Sequence, residues 1–444
     1  MLRSREESAG VWLKTLLLVL SGIFALILIA RAYEANVEST TITSFSSLGR
    51  AVVLVLAAVV LLYDCSKWDS LGLTLAISCV VGLLVGFTRE NDWATLGRHA
   101  FAGIFVPCLY TAGLNFTIAE KRLRVILGAF AWLYLWAFFL VFFNLASLLT
   151  ESLGIVGYSP GHLLLSLAVG LNRYSPLLAI SSLVLIALGN KRGVLLGALC
   201  MIGFWFYVRQ RRFRSATWLI LGTATAAAAV FVGGYGLYLL RENMSPDIPI
   251  LSGALERVAR FFQPDEEGLT YLSSARDTEF QGVRETLAAQ PGGWLWGGGF
   301  GATYVNEYYS HFLESWQVSD RFQPDVILFY YLLTSGLPLA LLIVGLVALR
   351  FWRIVHHTFV TGRNREVVFF LVAYFMDMVL SYQPNDPLFW LLLGYACRQA
   401  SENGQPVVDA LADSPRARPF AQASGPRRSL APPATAGLSP RVPA

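Results

Sequence analysis

Charge is scarce in this chain. Asp, Glu, Lys and Arg make up 14% of its 444 residues, against 55% hydrophobic residues and a mean hydropathy of +0.54. The apolar residues come in blocks of membrane-spanning length, which excludes an ordinary soluble domain and indicates a polytopic membrane protein. Histidine and cysteine are equally sparse, with five of each. Cys65, Cys79, Cys108, Cys200 and Cys397 are scattered, mostly inside apolar blocks, and none is paired at metal-ligand spacing, so they read as lipid-facing or packing residues. No soluble-domain repeat is present, and no convincing inverted pair of interrupted helices of the kind that marks many transporters. The net charge of +5 calls for no nucleic acid, because cytoplasmic loops of any such protein collect Lys and Arg.

What is present is a series of twelve apolar spans, near 11–30, 51–63, 70–87, 99–118, 125–148, 158–171, 176–189, 193–208, 217–240, 326–349, 366–382 and 387–397. The first follows Arg3 and Arg5, exceeds a signal-peptide core in length and reads as a retained anchor. One division decides the topology. Residues 158–189 are either one long helix or two helices broken at "NRYSP", where Pro176 disfavours a helical conformation at Ser175. With the break and an internal amino terminus, "EKRLR" (120–124), "RQRRFR" (209–214) and "RFWRIVHHTFVTGRNR" (350–365) all fall in the cytoplasm. Without it, the two richest arginine loops would face out. The organisation expected is helices one to nine over 1–240, a large outer loop over 241–325, helices ten to twelve over 326–400, and a tail over 401–444. That tail is rich in Pro, Ala, Ser and Arg and reads as disordered and cytoplasmic.

Against this background "GNKRG" (189–193) is anomalous, since it places Lys191 and Arg192 on the outer side. Cations against the charge rule mark a binding or transport path, or else arginine snorkelling to headgroup phosphates. The outer loop on the same side is patterned. In "SARDTEFQGVRETLAAQ", Ser274 stands three before Asp277, a capping-box spacing that predicts a helix start. Arg276, Phe280, Val283 and Leu287 then share one face at near-helical spacing, which puts Arg276 among apolar residues. "PGGWLWGGGFGA" supplies a glycine-rich turn, but no Gly-Lys-Ser/Thr follows, so it is no Walker phosphate loop.

"TYVNEYYSHFLESW" reads as a second short helix, with Tyr304, Tyr308, His311 and Ser315 in one stripe and Phe312 and Trp316 beside it. His311, the only histidine of the outer loop, is either a packed ring or a functional base close to a membrane re-entry. No second histidine or cysteine partners it at ligand spacing, which argues against a metal. Glu307 and Glu314 are competing bases or a solvated face. His356 and His357 fall in an arginine loop, and His99 and His162 at span ends, where interfacial or capping roles suit them.

Taken together, the "R-G" turn, the helix opening on "SAR", the run "P-x-x-W-x-W-G-G-G-F-G", a histidine before the next span and "NDPLFWLLLG" near the last helix carry a resemblance. The chain resembles the O-antigen ligase and O-antigen polymerase superfamily of bacterial envelope glycosyltransferases, most specifically over 176–396. It departs from the usual pattern at Lys191, where a serine is common, and at Phe312, where an asparagine is. The resemblance implies an all-α, GT-C-like polytopic protein of the bacterial inner membrane with short amphipathic helices in its periplasmic loop. It also implies metal-independent, inverting transfer, with no cofactor, of a glycan from an undecaprenyl-diphosphate carrier to a lipid, glycan or protein acceptor. Arg192 and Arg276, assisted by Lys191 and Arg260, would then receive the diphosphate, and His311 would take the acceptor proton. Trp294, Trp296, Tyr304, Tyr308 and Trp316 are the candidate sugar platforms. A flippase or transporter for lipid-linked sugars, and a non-catalytic assembly partner, are the alternative readings.

Overall fold

The computed structural model describes residues 2–37, 41–64, 67–146, 160–188, 192–209, 266–310, 315–321, 323–380 and 386–402. Helices α1 (Leu2–Val37), α2 (Thr41–Tyr63), α3 (Ser70–Thr88), α4 (Trp93–Leu114) and α5 (Glu120–Ala146) come first. A single 3₁₀ turn, Pro160–His162, leads into α6 (Leu163–Asn172), followed by α7 (Pro176–Leu188) and α8 (Arg192–Arg209). After the outer loop's α9 (Glu266–Ala288), α10 (Gly293–Trp296) and strands β1 (Tyr304–Ser310) and β2 (Ser315–Arg321) come α11 (Ile327–Ser335), α12 (Leu337–Thr361), α13 (Arg365–Leu380) and α14 (Pro387–Glu402). The chain divides into two compact units, 1–400 and 401–444, and the described part of 241–325 belongs to the first.

Among the described residues four helices are long and apolar enough to cross a membrane, over Gly10–Ile27, Ser70–Thr88, Glu120–Val141 and Leu337–Thr361. Helix α3 shows why. Leu71, Leu75 and Cys79 are buried, yet Leu73, Ile77, Val80 and Leu84 on its other faces are exposed. A helix apolar on every side, with half of it facing away from the protein, needs lipid to cover the remainder. The chain is a predominantly helical membrane protein.

Local chemistry sets the helix ends. Asp69 and Asp92 cap α3 and α4 by accepting the amides of Gly72 and Thr95, each at 2.9 Å. The expected break at "NRYSP" is present: α6 stops at Asn172 and α7 begins at Pro176. Elsewhere the boundaries differ from expectation. The span predicted over 326–349 is two helices, because Gly336 sits at φ 83° between α11 and α12 and Pro338 follows in the first turn of α12. The predicted loop 350–365 is mostly helix, since α12 runs on to Thr361 and carries His356 and His357 with it. Span 217–240 lies outside the described residues.

Polar links join the helix ends in two sets. At one end, Lys14 meets Asp64 at 2.5 Å, Arg350 meets Asp69 at 2.9 Å, and the side chain of Asn115 bonds the backbone of Lys67. Arg173 donates from Nε and a terminal nitrogen to both oxygens of Glu366, each at 2.8 Å, and also to the carbonyl of Arg124. These Glu366 bonds raise the pKa of the guanidinium above its ordinary value. All these residues come from segments that the charge bias assigns to one side, and we call this the arginine end. At the other, the loop end, Arg89 and Asn91 meet residues 291–300 of the outer loop. The start of α8 meets the last turns of α13 there: a β-carbon on Gly193 would come within 2.5 Å of Asp377, and Gly197 rests on the backbone of Ala373. Small residues permit such close helix approach.

Candidate functional site at the loop end

The glycine-rich run is a docking element. Gly297, Gly299 and Gly301 have φ of 78°, 78° and 87°, a backbone path that side chains would strain, and this path delivers Phe300 into the bundle, where it is 2% exposed. Its ring occupies the space that a β-carbon on Gly82 of α3 or Gly103 of α4 would need. The amides of the run are already committed: Gly298 N–H donates to the carbonyl of Leu333 (2.6 Å), Phe300 N–H to that of Gly82 (2.7 Å), and Gly301 N–H to Nδ1 of His99 (2.8 Å). Asn91 Nδ2 donates to the carbonyls of Gly298 and Phe300 at 3.0 and 2.9 Å. A phosphate cradle needs free amides, and these three are used. His99 is therefore an internal acceptor inside α4 and not a span-end residue.

Beside this plug, Trp294 and Trp296 on α10 are exposed at 39% and 52%, positions open to a sugar ring. Tyr304 is 1% exposed and packs against Gly282 of α9. It does not present an open ring face.

The helix predicted for 303–316 is a correction: the segment is an antiparallel hairpin, with Tyr304 opposite Arg321 and Ser310 opposite Ser315. Alternation is the physical reason. Tyr304 and Asn306 are buried while Val305 is 46% exposed, a period of two, and Tyr and Val favour strands. Tyr308 stands opposite Gln317 and Tyr309 opposite Trp316 in the ladder, and His311 lies outside the described residues.

Helix α9 also begins earlier than predicted, at Glu266, so Ser274 lies within the helix and is not its cap. Val283 and Leu287 are fully buried, as the predicted face requires, and the Phe280 ring lies 5.3 Å from that of Phe329. Glu279 joins them, 2% exposed, accepting the amide of Asp325, so an acid shares the apolar face. Arg276 is in α9, three residues before Glu279, and Arg192 is the first residue of α8. The positions of both side chains, and Lys191 and Arg260 altogether, lie outside the described residues.

A second feature lies at this end. His162 Nε2 lies 3.0 Å from Asp386 Oδ2, and both side chains are almost fully buried. The other oxygen of Asp386 accepts the amides of Leu388 and Phe389 at 3.0 and 3.2 Å, capping α14. The rings of Tyr134 and Tyr374 flank His162, with centroids at 5.5 and 6.1 Å. Asp377, 2% exposed, lies between the 160–162 turn and α8: β-carbons on Gly161 and Gly193 would stand 3.4 and 2.5 Å from its carboxylate oxygens. Buried carboxylates are costly unless paired, and Asp386 has His162 as its partner. The Asp-Pro pair at 386–387 is a cap-and-first-turn signature that could have located Asp386. Nothing local singles out His162. Among the described residues, no group of three or more His, Cys, Asp or Glu could hold a metal ion.

Compared with known proteins, the chain matches no family model and no curated protein.

Proposed function

We propose that the chain is a membrane glycosyltransferase of the O-antigen ligase or polymerase type. It takes a glycan from an undecaprenyl-diphosphate carrier at the periplasmic face of the bacterial inner membrane and joins it to an acceptor hydroxyl. The acceptor oxygen attacks the anomeric carbon, the bond from that carbon to phosphate breaks with inversion, and the lipid diphosphate leaves with the electron pair. Arg192 and Arg276, with Lys191 and Arg260, neutralise the departing diphosphate, because guanidinium forks match phosphate oxygens. His311 takes the proton of the acceptor hydroxyl. Trp294 and Trp296 offer stacking faces to the sugars.

The observation that carries this reading is the position of Arg192. It opens the eighteen-residue helix α8 at the loop end, where a helix N-terminus favours an anion. The test is glycan transfer from purified polyprenyl-diphosphate donor by the purified full chain. Arg192→Ala and Arg276→Ala should each lower the rate by roughly 100-fold or more, in the range of losing one oxyanion-type donor. Membrane insertion should be unchanged. His311→Ala should lower turnover more than donor binding. Full transfer by either arginine variant would remove the diphosphate role.

One observation favours a second reading. Buried ionisable residues such as His162, Asp377 and Asp386 inside a helical membrane protein also mark transport paths. A flippase would move lipid-linked sugar across a liposome bilayer with no acceptor present, and a transferase would not.

A further inference from the structure

A cavity of about 690 Å³ opens at the arginine end, lined by the starts of α5 and α13 and the turn between α6 and α7. Four cations border it, Lys121, Arg124, Arg173 and Arg365, against two carboxylates, Glu120 and Glu366. The carboxylates are already satisfied. Glu366 receives two bonds from Arg173, and Glu120 accepts from Arg124 at 2.7 Å one helical turn away. Lys121 and Arg365 form no ion pair among the described residues, so the cavity keeps two uncompensated positive charges. Two helix N-termini, Glu120 of α5 and Arg365 of α13, add their free amides and the positive ends of their dipoles. Gly362, at φ 69°, makes room for the guanidinium of Arg365: a β-carbon there would come within 2.9 Å of its terminal nitrogen. The remaining lining mixes apolar Leu123, Val125, Leu127 and Val367 with polar Asn172, Tyr174 and Asn364.

We propose that this cavity binds a phosphate ester anion, the headgroup of an anionic phospholipid, at the end of the protein opposite the candidate transfer site. The chemistry is the same for inorganic phosphate, since both offer oxygens to Lys121 and Arg365. The lining beside the cations suits the lipid on both counts: its apolar side chains cover the first methylenes, and Asn172, Tyr174 and Asn364 offer hydrogen bonds to the glycerol oxygens. Basic pockets between membrane helices commonly hold such headgroups, and the volume falls within the roughly 300–1,000 Å³ typical of ligand sites. The proposal does not depend on the transferase reading.

The test is native mass spectrometry of the full chain released from nanodiscs containing phosphatidylglycerol and phosphatidylcholine in equal amounts. The intact protein should retain phosphatidylglycerol in preference, by about tenfold, and Lys121→Ala combined with Arg365→Ala should abolish the preference. Inorganic phosphate at millimolar concentration should compete weakly. Should phosphate displace the lipid completely, or should protein and variant retain both lipids alike, the lipid site is refuted. The single Lys121→Ala change touches an exposed residue without an ion-pair partner, and its intermediate loss of preference serves if the double variant folds poorly. Glycan transfer measured in detergent without lipid should be unchanged in Lys121→Ala, which separates failure of this site from failure of the transferase.

Discussion

The two ends of the helical unit treat charge in opposite ways. At the loop end the carboxylates of Asp377, Asp386 and Glu279 are all nearly inaccessible. At the arginine end the ionic side chains border an open cavity, and the Arg124 and Glu120 side chains are 56% and 38% exposed. Carboxylates are thus buried in one place, and cations border an open cavity in the other. The lesson is that burial sets the magnitude of an ionic interaction: a pair in water is worth about 0–1 kcal/mol, whereas orphaning a buried one costs about 3–5 kcal/mol.

Substitution can break that contrast. The largest effect should come from Asp386→Ala, which strands His162 and uncaps α14: a loss of about 3–5 kcal/mol, read as a lower thermal midpoint in detergent. If the midpoint did not move, the His162–Asp386 contact would carry no stability. Gly103→Val should follow, because the added methyls meet the Phe300 ring. Overpacking of about 1–3 kcal/mol should appear as faster proteolysis within 291–303, and unchanged proteolysis would mean the plug does not depend on its socket. Smallest is Asp92, exposed at the start of α4. Bonds from the amide and hydroxyl of Thr95 hold its carboxyl below the ordinary carboxylate range. A depressed pKa contributes stability above the unfolded value and loses it as pH falls through the folded one. Acidification from the ordinary carboxylate range downward should therefore weaken the α4 cap in the wild type, and Asp92→Ala should lack that component of the pH dependence.

Much of the helical framework was legible, and the reasons are visible in particular residues. Pro176 announced the α6 to α7 break because its ring restricts the preceding residue. The Gly336-Leu-Pro338 sequence carried a similar warning inside 326–349, but unbroken apolar character on both sides hid it. The hairpin was obscured by coincidence: Tyr304, Tyr308, His311 and Ser315 satisfy helical spacing, while burial of Tyr304 and Asn306 around exposed Val305 follows the strand period. Pairing with Ser315–Arg321 decided between them, and such pairing is not a local property. Of the predicted α9 face, the burial of Val283 and Leu287 could be read. The His162–Asp386 contact could not, because it joins positions far apart in the chain, and so could not the docking of Phe300, which depends on glycines in two other helices.

Phe300 also imposes an order on biogenesis. Its socket exists only once α3 and α4 lie side by side, and both emerge from the ribosome long before residue 300 does. The early helical pair must therefore wait in the bilayer with a hole between Gly82 and Gly103, to be filled by a segment that is still being synthesised. A chain truncated before the glycine-rich run would keep that hole, and quality-control proteases would meet it as an unfinished seam.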